Sequence, residues 1–444
     1  FKIISQFCQL VHLPNLVHRL NDCRHSDVSL GPVLVWVLKT IFQRQTLYRA
    51  EAPTFCTKRT IYNMLDDGRI NWQRLSCQLA QRVIASLTKR LDARHSGALI
   101  VDDTLIPRLS AKQTELLANT FDHDKSRHLT GFRGLTIAWS NGQLVLPVTT
   151  AVLSSKKASN RVRAPASTLD WRTLSGQRRA QAMQEMPTVS LALIKQALAN
   201  GIKAKYVLFD SWFTSSKLLL ALKRLGLVGV GMLKRTKKSY FRYWSREYTI
   251  PDLYRHLRRS NRQTHTHYLY SCIVKAERSG VELPIKLVFV TKAHRGNDYL
   301  VLATTDTTLT PTKIIGLYTR RWQIENYFRA AKQYLRLATV RFQDYDGLCA
   351  HMAITMMAYD LLAWQQRHQP NDQTLGDIFH NLNTLLPVLD LTLAVTQLLD
   401  GLSDMVQAEP KISTRVTTLI NNLFNQLTPQ VGTIIGAELT DIGI

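Results

Sequence analysis

The stretch Tyr318–Lys332, YTRRWQIENYFRAAK, sets the reading of the whole chain. It contains neither proline nor glycine and follows Thr310-Pro311, a helix start with proline at the first helical position. On one helix at about 100° per residue, Tyr318, Arg321, Glu325 and Lys332 fall within an arc of roughly 60°, flanked by Trp322 and Arg329. A neighbouring stripe, Ile324, Phe328, Ala331 and Leu335, is apolar and predicts the face that docks on a core. The charged edge fits two descriptions: a site presenting an acid among cations, or a solvated, salt-bridged surface.

The surrounding composition narrows the choice. The 444 residues carry a formal charge of +25, with 45% hydrophobic residues. That hydrophobic content suits folded units rather than wholesale disorder, and the length suits two to four of them. The charge suits a polyanion, either nucleic acid or an anionic membrane surface. It is unevenly spread: from Pro370 onward Lys411 and Arg415 oppose eight acids for −6, leaving +31 on residues 1–369. No apolar run reaches the roughly 18 residues of a membrane span, so no membrane partner is expected. Cys8, Cys23, Cys56, Cys77, Cys272 and Cys349 form no close pairs, which points to a reducing compartment. Cys8, His12, His18 and Cys23 cluster, but their spacing matches no familiar zinc pattern. The chain opens on Phe1 rather than methionine, which suggests a trimmed N-terminus.

Taken in order, residues 1–96 read as helices. Leu30–Arg44 is apolar with helical spacing. Thr57 caps a helix ending at Leu65, Asp66-Asp67-Gly68 forms a turn, and Asn71 caps a helix over Trp72–Leu87. With Lys58, Arg59, Arg69, Arg74 and Arg82 on the two helices, the pair resembles a helix-turn-helix and is expected to touch DNA. From Gly97 the texture becomes α/β. Ala98–Val101 is a buried strand ending on Asp102-Asp103-Thr104, followed by a polar, basic loop through His123, His128 and Arg133. Leu135–Trp139 and Gln143–Leu153 form a hairpin around Asn141-Gly142, with Pro147 marking an edge or a bulge. Lys156–Arg179 reads as loop and Val189–Leu198 as helix. Tyr206–Phe209 is a second buried strand, ending on Asp210 and followed by Ser-Trp-Phe-Thr. A helix over Ser215–Leu225 and a strand over Val228–Leu233 complete the rhythm. Residues 234–300 interrupt it with basic clusters and strands at Tyr268–Val274 and Ile285–Val290. Ala350–Trp364 is an apolar helix. The acidic end carries apolar helices near Leu385–Leu399 and Val416–Leu427.

Three carboxylates stand out by position. Asp102 and Asp210 end apolar strands, where an unpaired acid is costly unless solvent, a cation or a hydrogen-bond network meets it. Glu325 lies on the amphipathic stretch. Converging, the three form a hard-oxygen site for two divalent ions, Mg²⁺ with Mn²⁺ as substitute, suited to in-line attack on a phosphodiester. Taken singly, each strand-end aspartate also reads as a turn or helix cap, and Glu325 as a surface ion-pair partner.

These residues resemble the DDE transposases of bacterial insertion sequences, specifically the insertion-sequence-four family. Tyr318, Arg321, Glu325 and Lys332 match its Y-x2-R-x3-E-x6-K signature at every spacing. The strand-acid starts ALIVDD and YVLFDSWFTS and the β insertion match too, so the likeness spans roughly residues 97–365. The resemblance implies an α/β fold with an RNase H-like catalytic core interrupted by a β-rich insertion, between helical N-terminal and C-terminal regions. It divides the chain into 1–96, helical and DNA-binding; 97–233, first part of the core; 234–300, insertion; 301–369, second part with the catalytic helix; and 370–444, acidic and helical, a candidate dimerisation unit. Asp102, Asp210 and Glu325 would be catalytic metal ligands, with Asp103 the alternative to Asp102. Arg321 and Lys332 would grip phosphates, Tyr318 a phosphate beside a flipped base, and Trp322 would stack on that base. Tyr299 falls near the place of an aromatic wedge in some relatives. The implied activity is cut-and-paste transposition: nicking, hairpin formation and opening, then strand transfer. The implied partners are double-stranded DNA (transposon terminal repeats and target) and a second copy of the chain, in bacterial cytoplasm on the nucleoid. The alternative is a catalytically silent, transposase-derived DNA-binding protein.

Overall fold

The computed structural model describes residues 2–21, 27–89, 97–122, 125–237, 239–259, 270–278, 281–291, 299–339, 342–368 and 373–383. The C-terminal helices expected near 385–399 and 416–427 lie outside these, as do Cys23, His123 and the start of the strand expected at 268–274.

Five helices come first: α1 (Lys2–Leu10), α2 (Leu13–Asn21), α3 (Leu30–Phe42), α4 (Lys58–Leu65) and α5 (Trp72–Thr88). Their starts follow the expected capping. The Thr57 hydroxyl accepts the Thr60 N–H at 3.2 Å, and the Asn71 side chain accepts the Arg74 N–H at 3.0 Å. The α4–α5 hairpin is present, but α5 is no isolated reading helix. Its apolar face, including Trp72, Leu75, Leu79 and Val83, is buried against the sheet and the long last helix. Arg82 donates to the carbonyls of Val11 and His12, and Arg69 pairs with Asp67, while Arg59 and Arg74 stay exposed.

The sheet begins with β1 (Ala98–Pro107), β2 (Ala118–Asp122), β3 (Arg127–Ser140) and β4 (Val145–Leu153). Two helices, α6 (Leu174–Ala182) and α7 (Met186–Ala199), lead to β5 (Tyr206–Phe209). Then come α8 (Ser216–Arg224) and β6 (Val228–Leu233). β1 pairs with β3 antiparallel and with β5 parallel, β5 pairs with β6 parallel, and β4 pairs with β3. The order β4-β3-β1-β5-β6, a hairpin beside three parallel strands, is that of an RNase H-like sheet. Asn141 makes the hairpin turn by accepting the N–H groups of Gln143 at 3.0 Å and Leu144 at 2.9 Å, with Gly142 at φ +99°. The bulge expected at Pro147 is there: the β3–β4 register shifts between Ile137 and Ala138, opposite that proline.

Four strands and a helix extend the sheet: β7 (Tyr240–Tyr243), β8 (Arg246–Thr249), α9 (Ile250–Arg259), β9 (Tyr270–Arg278) and β10 (Val281–Thr291). Through β11 (Tyr299–Thr304), antiparallel to β6, this β-rich insertion joins the core edge to edge. Next come α10 (Pro311–Thr319), a single 3₁₀ turn (Arg320–Trp322), α11 (Gln323–Gln333) and α12 (Tyr345–His368). Helix α12 is buried along most of its length and packs on α5 and β4. Among the described residues, no helix is long and apolar enough to cross a membrane.

Several segments differ from their sequence reading. The stretch through His128 and Arg133, expected to be loop, is the first half of β3, which pairs there with β2 and β1, and α9 stands where only strands and basic clusters were expected. β1 does not stop at Asp102 but runs on to Pro107, because β3 pairs with it as far as Gly131. Residues 156–179, expected to be loop, contain the start of α6, held by polar contacts rather than an apolar stripe. Thr173 caps it, and Arg178 and Arg179 form buried ion pairs with Asp346. The single helix expected over Tyr318–Lys332 is two helices joined by the 3₁₀ turn, which winds more tightly and advances the phase between Tyr318 and Glu325.

Candidate active site

The parallel ladder between β1 and β5 ends on the pair Val101 and Phe209. Asp102 and Asp210 are therefore the next residues along two adjacent parallel strands. Strand alternation sends Asp102 and Asp103 to opposite faces. Asp103 pairs with Arg133 on β3, Nη1 to Oδ2 at 2.6 Å, and its own N–H donates to Asp102 Oδ1 at 2.9 Å. Asp102 meets the segment that leads into α11.

There Arg321 joins two acids distant in the chain. Its Nη1 donates to Asp102 Oδ2 at 3.0 Å and its Nη2 to Glu325 Oε1 at 3.0 Å. The 3₁₀ turn puts Arg321 inside, 9% exposed, rather than along an outward-facing edge. The docking stripe is as expected: Ile324, Phe328, Ala331 and Leu335 are all buried. Gln323, which carries no sequence signal, ties the turn to the β3–β4 hairpin. Its amide donates to the Gly142 carbonyl at 2.6 Å and accepts from the Ser140 hydroxyl.

Burial dominates the electrostatics. It pushes the Asp102 carboxyl up to about 7, against the pull of Arg321, with Asp103 and Asp210 adding to the rise. Burial works against the Arg321 charge, yet Asp102, Tyr318 and Glu325 together hold its pKa above the usual arginine value. Burial also raises Tyr318, which lies against Arg321 and within the field of Asp210 and Asp102. Tyr318, Arg321, Asp102, Asp210 and Glu325 thus form one electrostatic neighbourhood.

Asp210 also has a local duty. Its Oδ1 accepts the Trp212 N–H at 2.8 Å, and its carbonyl accepts the Thr214 hydroxyl at 2.7 Å. Trp322 stands 60% exposed, with the Arg321 guanidinium 5.4 Å from its ring centre. Lys332 is exposed near the end of α11. Tyr299 is not displayed as a wedge: it is buried, stacked on Tyr254 at 3.8 Å, with Arg235 over its ring.

The donor chemistry fits a hard divalent cation: three carboxylates, of which Asp102 is desolvated and incompletely neutralised by protein groups. Among the described residues, no three His, Cys, Asp or Glu side chains stand close enough to grip an ion as they are. Arg321 lies between Asp102 and Glu325, bonded to both, so its guanidinium supplies the positive charge at that point.

A family model described as DDE superfamily endonuclease matches residues 40–280, a stretch that includes Asp102 and Asp210 and ends before Glu325. No curated protein matches the chain. Among solved structures, the chain is similar to a piggyBac transposase synaptic complex with hairpin DNA, determined by cryo-EM. The two are 10% identical over 86% of this chain and 77% of that chain, at a TM-score of 0.42.

Proposed function

The chain belongs to the DDE superfamily endonuclease family, and on that premise we propose that it is a cut-and-paste DNA transposase of the insertion-sequence-four type. The observation that carries the proposal is Arg321 holding Asp102 and Glu325 together, with Asp210 at the adjacent strand end. Mg²⁺, or Mn²⁺ in its place, bound by Asp102, Asp210 and Glu325 would supply Lewis acidity and an activated hydroxyl for phosphodiester attack.

The chain's own residues do the rest. The β1–β5 ladder fixes the two aspartates relative to each other, and Gln323 fixes the turn that carries Arg321. Arg321 compensates the buried acids and grips a DNA phosphate. Tyr318 orients that guanidinium and contacts a neighbouring phosphate. Lys332 binds backbone at the far end of α11, and the exposed face of Trp322 stacks on an extruded base. Nicking, hairpin formation, hairpin opening and strand transfer differ only in the attacking hydroxyl, so one set of positioned residues serves all four.

We assign residues 1–96 to DNA binding, 97–233 and 301–369 to the catalytic core, 234–300 to the insertion, and 370–444 to dimerisation. The working form is a homodimer on paired transposon ends, located on the bacterial nucleoid. The silent DNA-binding alternative is less well supported, because none of the three acids is replaced.

The test is incubation with DNA carrying the element's ends and Mg²⁺, followed by denaturing electrophoresis. Nicked and hairpin products are expected. Bound but intact DNA would overturn the reading.

A further inference from the structure

The parallel strands β5 and β6 run out at the same edge of the sheet, the edge at which ligands of open α/β sheets bind. Asp210 is the first residue beyond β5, and Lys234 the first beyond β6. Beside them stands Trp212, whose indole is 51% exposed, with Lys234 Nζ 4.1 Å from its ring centre. Its direction is set by the turn: the Trp212 backbone N–H donates to the Asp210 carboxylate, the next side chain, Phe213, is buried, and the Thr214 hydroxyl donates to the Asp210 carbonyl. A half-exposed indole backed by a lysine, on a turn anchored to Asp210, does little for the core. It is, however, the combination that holds an unpaired base: a π-face for stacking and a cation for the adjoining phosphate.

We infer that Trp212 and Lys234 form a nucleobase platform at the active-site edge, holding an unpaired base of the DNA strand that runs past Asp210. The platform is separate from Trp322, which belongs to the 3₁₀ turn and pairs with Arg321 instead of Lys234. The inference rests on the DNA reading of the site and adds the recognition of single-stranded DNA beside the scissile bond.

The experiment uses the full chain and three synthetic DNAs: a blunt duplex, the same duplex with a short overhang carrying 2-aminopurine, and that overhang made abasic. Anisotropy gives affinities at fixed salt, and 2-aminopurine quenching reports stacking. The wild-type protein is expected to bind the base-bearing overhang about tenfold more tightly than the abasic one and to quench its fluorescence. Trp212→Ala should erase both effects while keeping blunt-duplex affinity, and Trp212→Phe should retain most of the preference. Lys234→Ala should weaken overhang binding and reduce the salt slope by about one. Preference and quenching left intact in Trp212→Ala overturn the platform, and so does a wild type that binds all three DNAs alike. A wild type that binds no duplex even at low salt overturns the DNA reading itself, and the platform with it.

Discussion

Asp102 and Asp103 are neighbours on β1 yet answer to different arginines, Asp102 to Arg321 at 3.0 Å and Asp103 to Arg133 at 2.6 Å. Only the first shares its guanidinium with Glu325. Asp102→Asn is therefore expected to lower cleavage of transposon-end DNA to about 1% of wild type or less, a loss in the range seen when an electrostatic element of a site is removed. Asp103→Asn breaks a sheet-side ion pair and should leave a substantial fraction of activity. Parallel time courses of nicking by the two variants decide the matter, and the reverse ranking would move the first ligand to Asp103.

Much of this site is legible in the amino-acid sequence alone. Caps at Thr57 and Asn71, the helix start at Thr310-Pro311, the Asn-Gly hairpin and the two apolar strands leading to acids are local signals, and the fold contains each of them. The illegible features depend on contacts between distant segments. β1 extends past Asp102 because β3 offers it a partner, and α6 exists because Arg178 and Arg179 find Asp346 on α12. Helix α9 has legible apolar spacing at Ile250, Leu253, Tyr254 and Leu257, though its arginines dominate the composition. The inward turn of Arg321 is hidden when one regular helix is assumed. A 3₁₀ turn three residues long leaves no mark in residue spacing.

Arg321 compensates charge that burial would otherwise expel. Its side chain is 10% exposed and Asp102's is 16%, so removing it leaves a desolvated acid beside Asp103 and Asp210. Arg321→Ala is expected to lose about 3 kcal/mol in urea unfolding without divalent ions. Adding Mn²⁺ should raise its Tm more than that of wild type, because a bound cation replaces the missing guanidinium and stabilises in proportion to occupancy. Equal Mn²⁺-induced shifts in the two proteins would mean that Arg321 and the ion do not share the acids.

The ion pairs of α6 are not interchangeable with surface ones. Arg179 reaches both Glu115 and Asp346 at 2.7 Å with side-chain exposures of 5%, 16% and 5%. Breaking such a cluster strands buried charge, so Arg179→Met should cost about 3–5 kcal/mol in chemical denaturation. Lys156 and Glu185 are nearly as close at 2.8 Å but 68% and 60% exposed, and Glu185→Gln should leave stability almost unchanged because solvent screens the pair. Similar costs for the two substitutions would contradict the weight given to burial.

Asp360 on α12 gives the fold a pH dependence of its own. The residue is 1% exposed, and its Oδ1 has no hydrogen-bond partner among the described residues. Burial drives its pKa well above the usual carboxylate value, so the folded protein keeps the proton at pH values where the unfolded chain has lost it. Between those two pKa values the native state binds one proton more, and stability must fall as pH rises. Its contribution is fully favourable below about pH 4 and is lost on the way up to the folded pKa. Asp360→Asn keeps the shape and removes the titration. From about pH 5 up to its raised folded-state pKa, the wild type should lose up to about 1.4 kcal/mol per pH unit relative to the variant. Urea unfolding of both proteins at several pH values measures that difference, and parallel stability–pH curves would show that Asp360 is ionised in the fold after all.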